Sequence, residues 1–198
     1  MAKRLFDLLL SSLGLAVLAL PLALVALAIK LDSPGPVFYR QVRVGLRGRE
    51  FRIHKFRTMA HDPGDRGPQL TVGLDARITR VGAFLRRTKL DELAQLFDVF
   101  EGTMSLVGPR PEVPRYVALY PAALREKVLS VRPGITDFAS IEYRDESTLL
   151  ARSADPERTY RELILPTKLA LQARYVDRSG LGTDLVLIGR TVWAIIAR

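Results

Sequence analysis

An uncharged apolar segment near the N-terminus constrains the fold of this chain more than any other feature. It runs from Leu8 to Ile29, LLLSSLGLAVLALPLALVALAI, 22 residues without Asp, Glu, Lys or Arg. As a straight helix it would measure about 33 Å, enough to cross the hydrocarbon core of a bilayer. Its length and the lack of a small-residue cleavage site after it argue against a signal peptide.

Pro21 lies past the middle of this segment, where it removes one helix hydrogen bond and crowds the preceding turn. The flanks are basic: residues 1–60 hold ten Lys/Arg against three Asp/Glu, and residues 61–198 hold twenty against eighteen. The positive-inside bias would keep both flanks in the cytoplasm. Two alternatives remain, a Pro-kinked helix that spans the bilayer and a re-entrant helix that bends at Pro21, the membrane break, and returns.

The composition limits the kinds of catalytic and metal site that the chain can form. At 198 residues the chain is predicted to form one domain behind the apolar segment. It has no Cys, which excludes disulfides, thiolate zinc sites and Cys nucleophiles. His54 and His61 lie among basic and polar residues, so both are predicted to be surface residues. A metal would therefore be a hard cation held by carboxylate and phosphate oxygens, which indicates Mg²⁺.

Hydrophobic periodicity predicts an α/β protein, helix-rich with short strands. Residues 1–32 are predicted to form the membrane segment, a hairpin in the re-entrant alternative, and residues 33–198 a compact cytoplasmic domain. The predicted elements of that domain are strands at 36–45 and 50–59, a loop at 61–79, a helix at 90–99, an extended stretch at 105–116, a helix at 121–131, a turn at 132–136 and helices at 155–177 and 182–198. The last helix has a broad apolar face with Trp193, which suits either the membrane interface or the core.

The stretch RRTKLDELAQL, residues 86–96, places the adjacent carboxylates Asp91 and Glu92 directly behind several cationic side chains. Thr88 and Asp91 have the spacing of a capping box at a helix start. The same carboxylates, next to Arg86, could instead perform chemistry on an anionic substrate. This stretch alone leaves both interpretations open.

Other cationic residues lie beside proline or glycine, or alternate with an apolar residue on a predicted strand. Arg110 in GPRP and Arg132 in RPG are beside residues that rigidify the backbone, which suits bidentate phosphate binding. Lys55 and Arg57 alternate with Phe56 on a predicted strand, so they should share one face while the ring points to the core, and both are candidate phosphate-binding residues. Two structural alternatives stay open. Arg110 and Arg132 could pair with carbonyls or carboxylates, and Lys55 and Arg57 could lie on a solvated face of the strand.

Four motifs in this order, KFRTM, RITRVGAFLRRTKLDELAQL, GTMSLVGPRPE and VRPGIT, follow the apolar segment, and together they resemble the bacterial sugar transferases. These monotopic phosphoglycosyl transferases move a sugar 1-phosphate from a nucleotide sugar to a polyprenyl phosphate. The resemblance implies an Asp-Glu catalytic dyad at Asp91 and Glu92, with Asp91 as nucleophile and Mg²⁺ ligand. It also implies phosphate binding by Arg86, Arg110 and Arg132, with Lys55 near the site.

The resemblance implies partners and a location as well. The donor would be a nucleotide sugar, usually of uridine diphosphate, and the acceptor undecaprenyl phosphate at the cytoplasmic face of the bacterial inner membrane. Membrane lipids are expected partners and nucleic acid is not, because no nucleic-acid-binding motif is found. The oligomeric state stays open, with a homodimer among the alternatives. The rival functions are a non-catalytic membrane-tethered basic scaffold and a nucleic-acid-binding protein.

Overall fold

The structure, a computed structural model, describes residues 1–60 and 75–197. Most of the predicted loop 61–79, and His61 with it, lies outside these residues. Within the described ranges the chain is helix-rich with short strands, as predicted. The helices are α1 Ala2–Asp32, α2 Arg80–Thr88, α3 Gln95–Glu101, α4 Pro114–Val117, α5 Ala122–Val128, α6 Phe138–Glu142, α7 Glu146–Ala151, α8 Pro156–Thr159, α9 Leu165–Asp177 and α10 Leu181–Ile196. The strands are β1 Phe38–Val44, β2 Glu50–Phe56, β3 Ser105–Val107 and β4 Gly134–Thr136.

β1 and β2 form the predicted antiparallel hairpin around a short 3-10 turn at Leu46–Gly48. Phe38 pairs with Phe56 in the register, and their rings stack with centroids 5.3 Å apart. Phe56 is buried, which confirms its predicted inward position. Ile53 is also buried, while Glu50 and Arg52 are exposed. The sequence therefore predicted both strands and the inward side chain of Phe56.

β3 and β4 form a separate parallel pair that the sequence did not indicate. The stretch 132–136 was predicted to be a turn, and this is wrong, because Gly134 to Thr136 pair with Ser105 to Val107. Two glycines permit the close approach: a Cβ on Gly134 would lie 2.0 Å from the backbone nitrogen of Gly108. The pairing brings the GPRP and RPG segments side by side.

α1 is assigned as one continuous helix through Pro21 and is tied to the remaining chain at both ends. Near its start, Lys3 forms an ion pair with Asp184 of α10 at 2.6 Å, and Asp7 accepts a hydrogen bond from the Leu106 amide at 3.1 Å. At its end, Asp32 accepts one from the Val81 amide at 3.0 Å.

Between its ends α1 has a covered face and an exposed face. The covered stripe repeats at helical spacing on both sides of Pro21. It comprises Asp7, Ser11, Leu15, Leu18, Leu22, Val25 and Ile29. The opposite face is exposed and almost wholly leucine, from Leu5 to Leu31. By length and composition α1 is the helix of the described chain that could cross a membrane.

The main core lies under the C-terminal helices. Tyr116 of α4 and Tyr160 pack with ring centroids 4.7 Å apart, and Leu169 of α9 is buried beside them. Tyr160 begins a π-helical turn, Tyr160–Ile164, that leads into α9. The predicted helical region 155–177 is thus confirmed, as is the helix near the C-terminus.

Candidate active site

The two adjacent carboxylates lie in a bend between two helices. α2 ends at Thr88, Lys89 adopts left-handed backbone angles (φ 59°, ψ 15°), and a 3-10 turn covers Leu90–Glu92 before α3 begins. Of the predicted helix 90–99, the part from Gln95 is confirmed as α3, whereas its start at residue 90 and the capping box are wrong. The Thr88 hydroxyl donates back to the Phe84 carbonyl at 2.9 Å, so Thr88 belongs to the end of α2.

Asp91 is nearly inaccessible, with 3% of its side chain exposed. Its Oδ2 lies 3.0 Å from Nζ of Lys55, which reaches across from β2. Its Oδ1 has no hydrogen-bond partner among the described residues. Because buried carboxylate oxygens normally have a partner, this oxygen is available to a cation or a phosphoryl group.

Glu92 is held by two cations. Arg110 donates to both of its carboxylate oxygens, at 3.0 Å from Nη1 to Oε2 and through a shorter Nη2 contact to Oε1. Lys55 Nζ lies 3.3 Å from the same Oε1. Burial alone would raise the pKa of Glu92, but the charges of Arg110, Lys55 and Lys89 outweigh it and hold that pKa below its usual range. Glu92 is therefore ionised and locked in a bidentate pair.

Two more cations belong to this cluster. Arg86 leaves the last turn of α2, and its Nε donates to the Thr58 hydroxyl at 2.8 Å. The close approach of α2 to Thr58 depends on Gly82, where a Cβ would lie 2.0 Å from the Thr58 carbonyl oxygen. Lys89 also faces the site, although sequence reasoning did not assign it a role; its position in the cationic run before the carboxylates was the available signal.

Two predicted phosphate-binding residues lie elsewhere. Arg57 follows the last residue of β2 and is buried, with its guanidinium donating to the carbonyls of Ser33 at 2.7 Å, Ile29 at 3.3 Å and Pro34. It closes the C-terminal end of α1, so its predicted shared face with Lys55 is wrong. Arg132 is exposed, and its Nε donates to the Gly102 carbonyl at 2.8 Å. Neither residue lines the cavity described next.

The carboxylates open into a cavity of about 1230 Å³ with two chemically different sides. The charged side holds Lys55, Arg86, Lys89, Asp91, Glu92 and Arg110. The apolar side is built by α1 and α10, with Leu10, Leu13, Val17, Ile188, Val192 and Ile195. Such a site suits a ligand with an anionic head and an apolar tail.

A second polar network lines the same cavity away from the carboxylates. Glu112 accepts hydrogen bonds from Arg43 at 3.2 Å and from the Tyr160 hydroxyl. Lys168 donates to Glu146 at 2.8 Å and to the Tyr160 hydroxyl at 3.3 Å. Burial would raise the pKa of Glu112, but Arg43 and Lys168 outweigh it and lower that pKa. Sequence reasoning missed this network, although Glu112 closes the GPRPE motif.

His54 is partly buried, so the prediction of a surface residue is wrong for it. Its amide and its Nδ1 each lie 2.8 Å from an Asp98 carboxylate oxygen of α3. His54, Asp98 and Glu101 also bring ligand-type atoms within 4.8 Å of one another. The Nε2 of His54 contacts Arg40 instead, which indicates that the cluster joins the hairpin to α3.

These features define a helix-rich protein with a long apolar N-terminal helix and a cation-rich, carboxylate-bearing site that adjoins an apolar wall. Comparison with known proteins agrees: the chain matches the bacterial sugar transferase family over residues 1–198 and belongs to that family.

Three relatives illustrate the similarity. An undecaprenyl-phosphate glucose phosphotransferase of Komagataeibacter xylinus is 50% identical over 145 residues, covering 70% of this chain and 27% of that protein. A UDP-glucose:undecaprenyl-phosphate glucose-1-phosphate transferase of Xanthomonas campestris pv. campestris is 37% identical over 201 residues, covering 100% of this chain and 39% of that protein. A protein of Caulobacter vibrioides with the same name is 37% identical, covering 98% of this chain and 69% of its own length. The chain thus spans well under half the length of the first two.

Proposed function

We propose that this protein transfers a sugar 1-phosphate from a uridine diphosphate sugar to undecaprenyl phosphate, a membrane step of polysaccharide or glycoconjugate synthesis. The observation that carries the proposal is Asp91, a buried carboxylate with one oxygen that has no partner among the described residues, which lines a half-apolar cavity among cations. The names of the relatives supply the substrate classes. A basic scaffold or a nucleic-acid binder has no use for this arrangement.

In the first half-reaction, an Asp91 oxygen attacks the sugar-bound phosphorus of the donor. The bond from that phosphorus to the bridging oxygen breaks, and UMP leaves with the electron pair. The product is a covalent aspartyl-phosphosugar. Arg86, Lys55 and Arg110 stand where they can offset the charge of the diphosphate and of the leaving nucleotide.

In the second half-reaction, an oxygen of the acceptor phosphate attacks the same phosphorus, the bond to Asp91 breaks and the carboxylate is restored. A phosphate monoester has a second pKa of about 6, so most of the acceptor is already dianionic at neutral pH. It therefore needs no general base. Glu92, paired with Arg110 and with a depressed pKa, is a poor base in any case. We therefore assign Glu92 to holding Arg110 and Lys55 in place.

Magnesium fits this donor set. Asp91 Oδ1 is a buried oxygen without a partner among the described residues, and oxygen ligands are those that Mg²⁺ prefers. We propose Asp91 as its protein ligand, with substrate phosphates completing the site. When bound, the ion would withdraw charge from the diphosphate.

We further propose a monotopic, re-entrant attachment to the cytoplasmic face of the bacterial inner membrane. Lys3 and Asp32, near opposite ends of α1, both bind the same domain. A helix that spanned the bilayer would place its ends about 30 Å apart on opposite sides. The exposed leucine face of α1 and the exposed Trp193 of α10 would then enter the lipid.

A donor-only experiment tests the mechanism. With a UDP-sugar and Mg²⁺ but no acceptor, the protein should release at most about one equivalent of UMP and gain the mass of a sugar phosphate. Undecaprenyl phosphate should discharge the adduct. Asp91→Asn should abolish adduct and turnover, whereas the control Asp177→Asn, which alters an exposed ion pair with Lys127, should leave both unchanged. UMP release only after acceptor is added would rule out the covalent step.

A further inference from the structure

Lys89, the residue that joins α2 to the turn carrying the two carboxylates, makes a contact that the mechanism above does not use. Its ammonium lines the cavity and donates to one group, the Arg144 carbonyl, at 3.2 Å. Among the described residues no carboxylate lies within ion-pair distance of it. Lys55 and Arg110, by contrast, are already engaged with Asp91 and Glu92.

The backbone of Lys89 supports a functional reading. Its φ of 59° lies in the left-handed region, which costs a residue other than glycine about 1 kcal/mol or more. A glycine would avoid that cost and still make the turn. A strained position that carries a partly buried cation, with no carboxylate in ion-pair contact among the described residues, suits an anion that arrives from solution.

The surroundings of Lys89 indicate which anion. Arg144, whose carbonyl holds the ammonium, donates through Nη1 to the Ala194 carbonyl near the end of α10. α10 supplies the apolar wall of the cavity through Ile188 and Ile195. Lys89 therefore lies where the charged side of the cavity meets that wall.

We propose that Lys89 binds the phosphate of the lipid acceptor. The acceptor joins a phosphate monoester to a long apolar chain, so its phosphate must sit where the charged and apolar sides meet. The donor carries its diphosphate between two polar groups and has no need of the α10 wall. This inference rests on the proposed function.

The two half-reactions separate the acceptor from the donor. In a two-step reaction, kcat/KM for each substrate reports only the half-reaction that consumes it. We expect Lys89→Asn, which tolerates left-handed backbone angles, to lower kcat/KM for undecaprenyl phosphate at least about tenfold, the loss of one charge-assisted bond. Adduct formation from UDP-glucose, and its kcat/KM, should stay within about twofold. Lys89→Arg should restore most of the acceptor value.

Arg47→Asn is the matched control. Arg47 is also cationic and left-handed (φ 55°), but it is exposed in the hairpin turn and lies outside the cavity. Arg47→Asn should change neither kcat/KM for undecaprenyl phosphate nor kcat/KM for UDP-glucose. An equal fall in both constants for Lys89→Asn would show that Lys89 binds the donor or only shapes the turn, and no fall in either would show that it binds nothing. Absence of an adduct in a wild-type protein that still turns over would instead refute the covalent step, and absence of any turnover would refute the proposed function.

Discussion

At the residue scale, two arginines in similar sequence contexts have different partners in the structure. Arg110 and Arg132 both stand beside proline and glycine, yet Arg110 grips Glu92 while Arg132 is exposed and donates to the Gly102 carbonyl. The parallel pairing of β3 with β4 places the two segments side by side, yet the two guanidinium groups reach different partners. A rigid backbone is thus not enough to identify a phosphate-binding arginine.

Conservative substitution distinguishes these two arginines. Arg110→Lys keeps the charge but loses the bidentate fork, so turnover should fall at least about tenfold, since a charge-assisted bond contributes about 1.5–3 kcal/mol. Arg132→Lys should keep turnover within about twofold. The measurement is steady-state UMP release, with membrane association as the check that both variants fold. Comparable losses in the two variants would mean that Arg132 acts in the reaction after all.

Lys55 and Arg57 show a different limit of sequence reasoning at this scale. Alternation predicted that they share a face, which holds only while a strand continues. β2 ends at Phe56, and Arg57 directly after it directs its guanidinium to the carbonyls of Ile29 and Ser33. The boundary of a strand is set by tertiary contacts that a local pattern does not record.

At the element scale, sequence patterns correctly predicted the elements that local interactions determine. The hairpin and the C-terminal helices follow from period-2 and period-3.6 patterns, and they were predicted. The β3–β4 pair and the bend at Lys89 were not, because one needs contacts between residues far apart in sequence and the other a left-handed residue that is not glycine. The site is built on these two features, which is why its residues were easier to predict than its shape.

The close approach of β3 and β4 gives a prediction at the element scale. A Cβ at Gly134 would lie 2.0 Å from the Gly108 nitrogen, so Gly134→Ala must push the two strands apart. We expect a loss of about 3 kcal/mol in the free energy of unfolding, together with lost turnover as Arg110 shifts. Thermal unfolding in detergent measures it. Gly182→Ala, in α10 with nothing within 4 Å of its added Cβ, should be neutral or stabilising by up to about 1 kcal/mol. Equal effects at both glycines would contradict the close-approach argument.

At the scale of the whole molecule, one surface unites the membrane helix and the site. α1 and α10 meet at the Lys3–Asp184 ion pair, both expose apolar faces and both line the cavity. A soluble nucleotide sugar and a lipid-embedded phosphate would therefore reach Asp91 from different sides. The arrangement works only if the domain lies against one face of the bilayer, which makes topology a test of the whole proposal.

Because the chain has no Cys, single cysteines report topology without background. Ala2→Cys and Arg40→Cys place exposed thiols on either side of the apolar segment without breaking the Lys3–Asp184 pair. In inverted and right-side-out vesicles, a membrane-impermeant maleimide should label both thiols from the cytoplasmic side alone. Pro21→Leu restores the missing helix hydrogen bond and should move part of the population toward a spanning form, seen as labelling of Ala2→Cys from the opposite side. Opposite labelling of the two positions in the otherwise unaltered chain would establish a spanning helix. The domain could not then hold both ends of α1, and the re-entrant arrangement would be wrong.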